Sequence, residues 1–357
     1  MSDLDAVRVP TANDETDGPS TTYEPGFVYL TVRSTPFWMT VVLLVIAVGF
    51  GALSGGAFLR PSNIIEISLA ASEVMLLAVG VTLILAAGEL DLSIGANLVL
   101  SSVVAAGTIQ NLAGTPEQIV QGQYPNLVPA VIAGVCVALI TGSLLGLTNG
   151  LLVTRLGMSS FIVTLGTTGV FTGLAYVLTN GVDFAYLPRD LQYDFGMNRL
   201  VGVIPFPVLV VLGVAGVLWF AMRFTGFGVE TLAIGSSREA AVRAGIRVNR
   251  HIVVLFTLMG LLSGIASLIA ISRFGTTNIA GHQTDNLAAI AAAVIGGTSL
   301  FGGQASIGGA IVGSLIPAAL ATGLIILGVA SFYQLIAVGT ILIIAVYVDQ
   351  RRRRQLT

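Results

Sequence analysis

The chain is a succession of apolar runs, each close to the length of a bilayer crossing, separated by short polar or glycine-rich breaks. Crossing roughly 30 Å of hydrocarbon takes about 20 apolar residues in a helix. Ten runs meet or approach that length: 37–58, 64–87, 92–112, 128–153, 160–178, 201–222, 252–271, 284–295, 307–327 and 331–348. The eighth is short, and the second carries Glu66 and Glu73. In lipid every backbone N–H and C=O must find a partner inside the protein, so repeated runs of this kind read as helices. The expected fold is an all-α polytopic membrane protein with about ten transmembrane helices, some broken or short. Composition agrees: 10% of residues are charged, against about 25% in a soluble domain.

Charge placement gives an expected orientation. All sixteen cations are arginines. With ten spans and both termini inside, twelve arginines fall on the inner side and four, Arg60, Arg189, Arg199 and Arg273, on the outer side. Cationic loops resist translocation, so this bias supports both termini being cytoplasmic. Residues 1–30 form an acidic tail expected to be disordered and retained. Residues 31–349 form the transmembrane domain, and 350–357 a basic tail suited to anionic lipid. The absence of lysine removes a phosphate-loop nucleotide site and Schiff-base chemistry. The single Cys136 allows no internal disulfide. His251 and His282 have no partner at metal-ligand spacing, so no metal site is expected. No hydrolase motif is present, and no catalytic residue is assigned.

The segment 223–251 holds five arginines, Arg223, Arg238, Arg243, Arg247 and Arg250. Within it Ser236-Ser237-Arg238-Glu239 matches a capping box, with Ser236 taking the Glu239 amide. Ala240, Ala241 and Ala244 follow, and Gly245 is a natural helix stop. A short, small-faced surface helix of this kind suits a groove on another protein. A solvated connector is the plainer alternative.

Two glycine-rich breaks echo each other: Gly88 to Ala96, and Gly296 to Ala310 with Thr298 and Ser299. Both lead into Ser-Ile-Gly, at Ser93 and at Ser306. Paired interruptions in two halves of a membrane chain point to a transport pathway. Three roles are open for Glu89 and Asp91: ion or proton carriers, hydrogen-bond partners of a polar substrate, or caps of the helix beginning near Ser93. Glu66 and Glu73 share one helix face. Thr164, Thr168 and Thr172 recur every fourth residue and form a polar stripe. Gly166, Gly169 and Gly173 on the same helix allow close approach. The stripe reads as helix packing or as the lining of a path for a neutral hydroxylated solute, with Asn149 and Asn180 adding donors and acceptors. The loop 180–200, with Asp183, Tyr186, Arg189, Asp190 and Tyr193, suits a protein contact or simple solvation.

Three segments together resemble the membrane permeases of bacterial ABC sugar importers of the ribose/xylose/galactoside type. Ala87–Ala96 resembles that family's Gly-Ile-Asp-Leu-Ser-Val-Gly segment, with Glu89-Leu90 departing from the usual Gly-Ile. Ala233–Val248 resembles its Glu-Ala-Ala cytoplasmic loop. Val294–Ala310 resembles its Ile-Gly-Gly-Thr-Ser-Leu-x-Gly-Gly stretch. The resemblance implies a permease in the bacterial inner membrane, homodimeric or paired, with two cytoplasmic ATPase subunits and an extracytoplasmic sugar-binding protein. Nucleic acid is not among its partners. It implies that Ser237, Arg238, Glu239, Ala240, Ala241, Arg243, Ala244 and Gly245 form the coupling helix, and that ATP and Mg sit on the partner ATPase. An ion-coupled secondary transporter and a non-transporting membrane scaffold are the rival readings.

Overall fold

A computed structural model describes residues 35–330 apart from 283, with scattered positions beyond. The two tails lie outside the described residues, as does most of the tenth apolar run. The helices are α1 Thr35–Leu53, α2 Pro61–Ala86, α3 Ile94–Ala113, α4 Pro116–Val120, α5 Leu127–Leu156, α6 Ser160–Thr179, α7 Phe206–Phe224, α8 Gly226–Ser236, α9 Arg238–Arg243, α10 Val248–Phe274, α11 Asp285–Ile295 and α12 Ile307–Ile326. Two residue pairs, Arg199–Leu200 (β1) and Ile204–Pro205 (β2), make a minimal antiparallel ladder.

Among the described residues seven helices, α2, α3, α5, α6, α7, α10 and α12, are long and apolar enough to cross a membrane. Seven of the ten expected spans reach that length there. The apolar parts of α1 and α11 fall short of that length. Non-helical residues 275–282 lie before α11, and Ile279 and His282 among them are buried. Irregular backbone at this depth is tolerated because protein, not lipid, surrounds it.

Burial ranks the helices. The apolar window of α2 is 89% buried, against 28% for α6 and 22% for α7. A helix that is apolar on every side and covered on every side forms the centre. Around α2 gather Leu255, Phe256 and Met259 of α10, Ala289 and Ala293 of α11, and Ala310 of α12. The outward faces of α6 and α7 expose Phe161, Leu165, Val170, Val217, Trp219 and Phe220. Such surfaces are stable against lipid tails or another apolar chain.

The tightest helix contact joins α5 to α10, and glycine makes it possible. Gly142, Gly146 and Gly150 recur every fourth residue on α5 and meet Gly260 and Gly264 on α10. A Cβ at Gly150 would lie 2.9 Å from the Val253 Cα, and one at Gly264 would lie 2.7 Å from the Ala138 carbonyl oxygen. At Gly142 and Gly260 each added carbon would strike the other's backbone. Small residues let membrane helix backbones approach closely and gain dispersion contact. The glycines of α6 behave differently from expectation: nothing lies within 4 Å of a Cβ at Gly166, Gly169 or Gly173. They pack against no neighbour within the chain.

The prediction is direct. Gly146→Val forces α5 off α10 and costs at least about 1–3 kcal/mol, the usual overpacking penalty. Gly169→Ala enters open space and leaves stability within about 0.5 kcal/mol. Thermal unfolding of both variants in detergent measures the contrast.

Candidate functional site

The chain leaves helical form between α2 and α3, where residues 88–93 belong to neither helix. Gly88, at φ +76°, makes the turn out of α2. Several of the backbone groups that follow take specific partners. The Glu89 amide donates to the Ile84 carbonyl at 3.1 Å. The Leu90 amide donates to the Ser160 hydroxyl at 3.1 Å. The Leu92 carbonyl accepts the Thr168 hydroxyl at 3.0 Å and the Asn286 side-chain amide. Asp91 Oδ1 accepts both the Ser93 amide at 2.8 Å and the Ser93 hydroxyl at 2.7 Å. The α6 stripe therefore clamps this segment: Thr164 and Thr168 also bond back to Ser160 and Thr164 carbonyls within the helix. Thr172 is half-buried farther along α6, and Asn180 is exposed at its end with φ 52°. Neither reaches the segment.

Asp91 is buried, as are Ser93 and Asn149. Asn149 Nδ2 donates to the Ser93 hydroxyl at 2.7 Å, while its Oδ1 is buried without a hydrogen-bond partner. The expected capping role of Asp91 is displaced by one position. It holds the amide of Ser93, the residue before α3, and Ser93 itself provides no side-chain cap. The echo between the two breaks holds in register: Ser93 and Ser306 precede α3 and α12, and Ile94 and Ile307 are their first residues. In the second break Thr298 donates to Thr82 at 3.3 Å and accepts the Ser306 amide at 3.2 Å. The buried Ser299 accepts the Phe301 amide at 3.2 Å.

The arginine-rich segment 223–251 is more helical than a loop. Thr225 caps α8, α9 follows at once, and α10 begins at Val248. The expected capping box gives way to a single cap one residue on, with Ala240 at the position a glutamate would need. Ser237, not Ser236, is the N-cap and accepts the Ala240 amide at 3.3 Å. Ser236 instead donates to Leu232, because α8 runs through it. Glu239 pairs with Arg243 at 3.4 Å. Gly245 adopts φ +83°, and the Gly245 and Ile246 amides bond to the Val242 and Ala241 carbonyls. That paired closure is the Schellman stop that glycine favours. Ala241 is buried and anchors α9, while Arg238, Glu239, Ala240, Val242, Arg243 and Ala244 are exposed. Beside α9 a groove of about 400 Å³ is lined by residues including Phe227, Glu230, Gly245, Arg250 and His251.

This exposed unit touches both breaks. Arg238 Nη1 donates to Glu89 Oε1 at 3.1 Å. Gly235 of α8 lies against the Ala86 carbonyl and the Gly303 amide, which themselves bond at 2.9 Å. His251, expected to be isolated, is buried, with Nδ1 3.1 Å from Glu230 Oε2 and Nε2 2.8 Å from Thr231 Oγ1. It ties α8 to α10. His282 likewise has a partner, Asp285, at 2.7 Å. Glu66 lies near the start of α2 and pairs with Arg199 at 3.5 Å, while Glu73 on the same face is buried.

At the opposite end a groove of about 620 Å³ is lined by Tyr124, Tyr186, Tyr193, Arg189 and Asp190 among others. Desolvation there raises the Tyr124 pKa above its ordinary value, with Arg189 lowering it and Asp190 raising it. Other parts of the 180–200 loop fold inward. Asp183 accepts the Ile279 amide at 2.9 Å, and Gln192 donates to the Arg273 carbonyl at 2.8 Å.

Buried helix breaks, joined to an exposed short helix in a bundle of apolar helices, define a membrane transport permease. Residues 63–346 match the family described as branched-chain amino acid transport system / permease component. The chain belongs to that family. It is 38% identical to the ribose import permease protein of Bacillus subtilis (strain 168), over 89% of this chain and 92% of that one. It is 35% identical to the D-allose transport system permease protein of Escherichia coli (strain K12), over 87% and 90% of the two chains. It is 32% identical to the fructose import permease protein of Rhizobium meliloti, over 90% and 88%. No solved structure matches the chain.

Ser160→Ala strands the Leu90 amide. Leaving a buried donor unpaired costs about 1–3 kcal/mol. The expected result is a lower melting temperature and faster amide hydrogen exchange across residues 89–93, read by mass spectrometry, with exchange in α5 unchanged.

Proposed function

We propose that the chain is the permease subunit of an ATP-driven ABC importer that carries a monosaccharide or related polyol across the bacterial cytoplasmic membrane. The observation that carries this reading is the direct fastening of the exposed helix α9 to the buried break, through Arg238 and Glu89 at 3.1 Å. A helix of six residues, anchored by one buried alanine, is shaped to receive a push from a partner. The chain has no lysine for a phosphate loop, so the fuel is burned by a separate cytoplasmic ATPase that holds the ATP and Mg. Twelve of sixteen arginines on the α9 side support that side, with both termini, being cytoplasmic.

The family description names amino acids, but the relatives spanning most of the chain are named for ribose, D-allose and fructose. The polar chemistry of the break fits hydroxylated solutes better than apolar side chains. Asp91, Ser93 and Asn149 offer acceptors and donors, and Asn149 Oδ1 has no partner in this conformation. Glu89, Thr164, Thr168, Thr298 and Ser299 support the backbone around that path, with Thr172 and Asn180 farther out on α6. The open apolar face and bare glycines of α6 support a second copy of the permease packing there. The tyrosine-lined groove at the far end supports docking of an extracytoplasmic sugar-binding protein.

In this mechanism ATP binding closes the ATPase dimer, and α9 transmits the movement. Arg238 draws Glu89, and Gly235 bears on the Ala86–Gly303 junction, so both breaks shift together. Weak polar contacts along the path let solute leave.

The test is co-reconstitution in vesicles with a cytoplasmic ABC ATPase and an extracytoplasmic sugar-binding protein from the same source. ATP-dependent monosaccharide uptake that persists with an uncoupler is the expected result. Uptake that survives ATP removal but collapses with the uncoupler would mean ion-coupled transport, and no flux under any condition would leave a scaffold. Glu89→Arg and Arg238→Glu each lower uptake per ATP hydrolysed by about tenfold, the effect of roughly 1.4 kcal/mol in coupling. The double exchange restores most of it. Separately, Gly245→Trp abolishes association with the ATPase while membrane insertion persists.

A further inference from the structure

One cluster of ionisable side chains lies outside everything described so far. Glu73 belongs to the middle of α2, Arg273 to the end of α10, His282 to the loop that follows, and Asp285 to the first turn of α11. Glu73 and His282 are each 6% exposed. Ionisable groups at such depth in a membrane protein are costly and mark function. His282 Nδ1 and Asp285 Oδ2 are 2.7 Å apart. Arg273 Nη1 stands 3.6 Å from Glu73 Oε1, beyond hydrogen-bond length. Glu73 Oε1 is buried and has no hydrogen-bond partner. One ligand atom each from Glu73, His282 and Asp285 lies within 4.8 Å of the other two.

These facts are hard to satisfy with protein groups alone. A proton on His282 Nδ1 goes to Asp285 and leaves Glu73 unserved. Arg273 balances charge but donates nothing to Glu73 at hydrogen-bond range. An unpaired polar oxygen in a dry interior is expensive. A divalent cation at the centre would serve all three side chains. Its charge would cancel the two carboxylates, and Arg273 would hold Glu73 from outside, as partners of metal ligands commonly do. Ligand atoms about 2.0–2.2 Å from a tetrahedral ion stand about 3.4 Å apart, so the ion would open the His282–Asp285 pair from 2.7 Å and draw Glu73 in. One imidazole with two carboxylates favours zinc-like ions over magnesium or calcium, which prefer oxygen alone.

We propose that Glu73, His282 and Asp285 bind a divalent transition-metal cation of the zinc class, clamping α2 to the start of α11. The clamp reaches the transport break in one step. Asn286, next to Asp285, accepts the Gly95 amide at 2.7 Å and donates to the Leu92 carbonyl. The site would thus steady the two helix starts that frame residues 88–93.

The experiment uses the full chain in nanodiscs, purified through a tag without histidine and carrying Cys136→Ser to remove the exposed thiol. Zn2+ is titrated calorimetrically, and Co2+ by visible absorption. Expected are one saturable ion per chain and a Co2+ spectrum of low coordination number. Glu73→Gln, His282→Gln and Asp285→Asn each weaken affinity by about tenfold or more, and Arg273→Gln keeps the stoichiometry. A folded parent chain without saturable Zn2+ or Co2+ uptake overturns the proposal, whatever the variants do. So does uptake unchanged in all three ligand variants. Both readouts are binding measurements, so they stand apart from whether the chain transports sugar.

Discussion

A strand of backbone that leaves helical form inside a membrane must have every polar group answered by protein. Residues 88–93 meet much of that demand with borrowed groups: a helix carbonyl at Ile84, hydroxyls from Ser160 and Thr168, the carboxylate of Asp91 and the amide of Asn286. Most of those partners come from other helices. The break therefore sets where α6 and α11 must lie relative to α2 and α3. It also makes the segment conditional. Its hydrogen bonds are exchangeable with a solute or with water, whereas the bonds of a continuous helix are not. A pathway element has to be held firmly yet be able to give, and side-chain hydrogen bonds to backbone provide that.

The glycine contact between α5 and α10 plays the opposite part. Backbone against backbone leaves no side chain to rotate, so this pair moves as one body. With α2 buried between α10, α11 and α12, the chain has a stiff centre. The α6 and α7 helices, covered on only a minority of their surface, flank it. On the proposed mechanism, movement delivered at α9 would have a rigid wall to work against and softer elements to displace. The three-glycine junction of Gly235, Gly302 and Gly303 lies where the two meet. Side chains there would hold the α8 backbone away from Ala86 and block the contact.

The sequence made the helical class, most helix ranges and the identity of the breaks legible, because apolar length and glycine punctuation are local signals. The run after the second Ser-Ile-Gly began at the residue expected and that after the first within two, and Gly245 marked a helix stop. What could not be read was pairing across the chain. The threonine stripe was visible, but its target, the Leu92 carbonyl, could not be found without knowing that α6 crosses the break. The cap of α9 was misread by one residue because α8 extends through Ser236 and uses its hydroxyl. Apolar length placed α11 to within a residue, at 284–295 against Asp285–Ile295, but gave no sign of the buried irregular backbone before it. Asp285 was within reach of His282 on sequence spacing alone, three residues away, whereas Glu73 joins them only through the fold.

Glu89 departs from the Gly-Ile of the sugar-permease segment it resembles, and the fold supplies a reason. Its side chain is 10% exposed, while that of its partner Arg238 is 50% exposed. A half-solvated ion pair contributes about 1 kcal/mol or less, which does not repay much desolvation of the carboxylate. Stability alone therefore gives weak grounds for a charge here. Geometry gives better ones. The pair joins the first residue of the exposed helix to the first residues of the break, across a chain separation that no local contact bridges. A bond that is weak in isolation but spans two moving parts changes how those parts move together. On the proposed mechanism the coupling of α9 to the break would run through this contact, whose two halves lie in separate motifs.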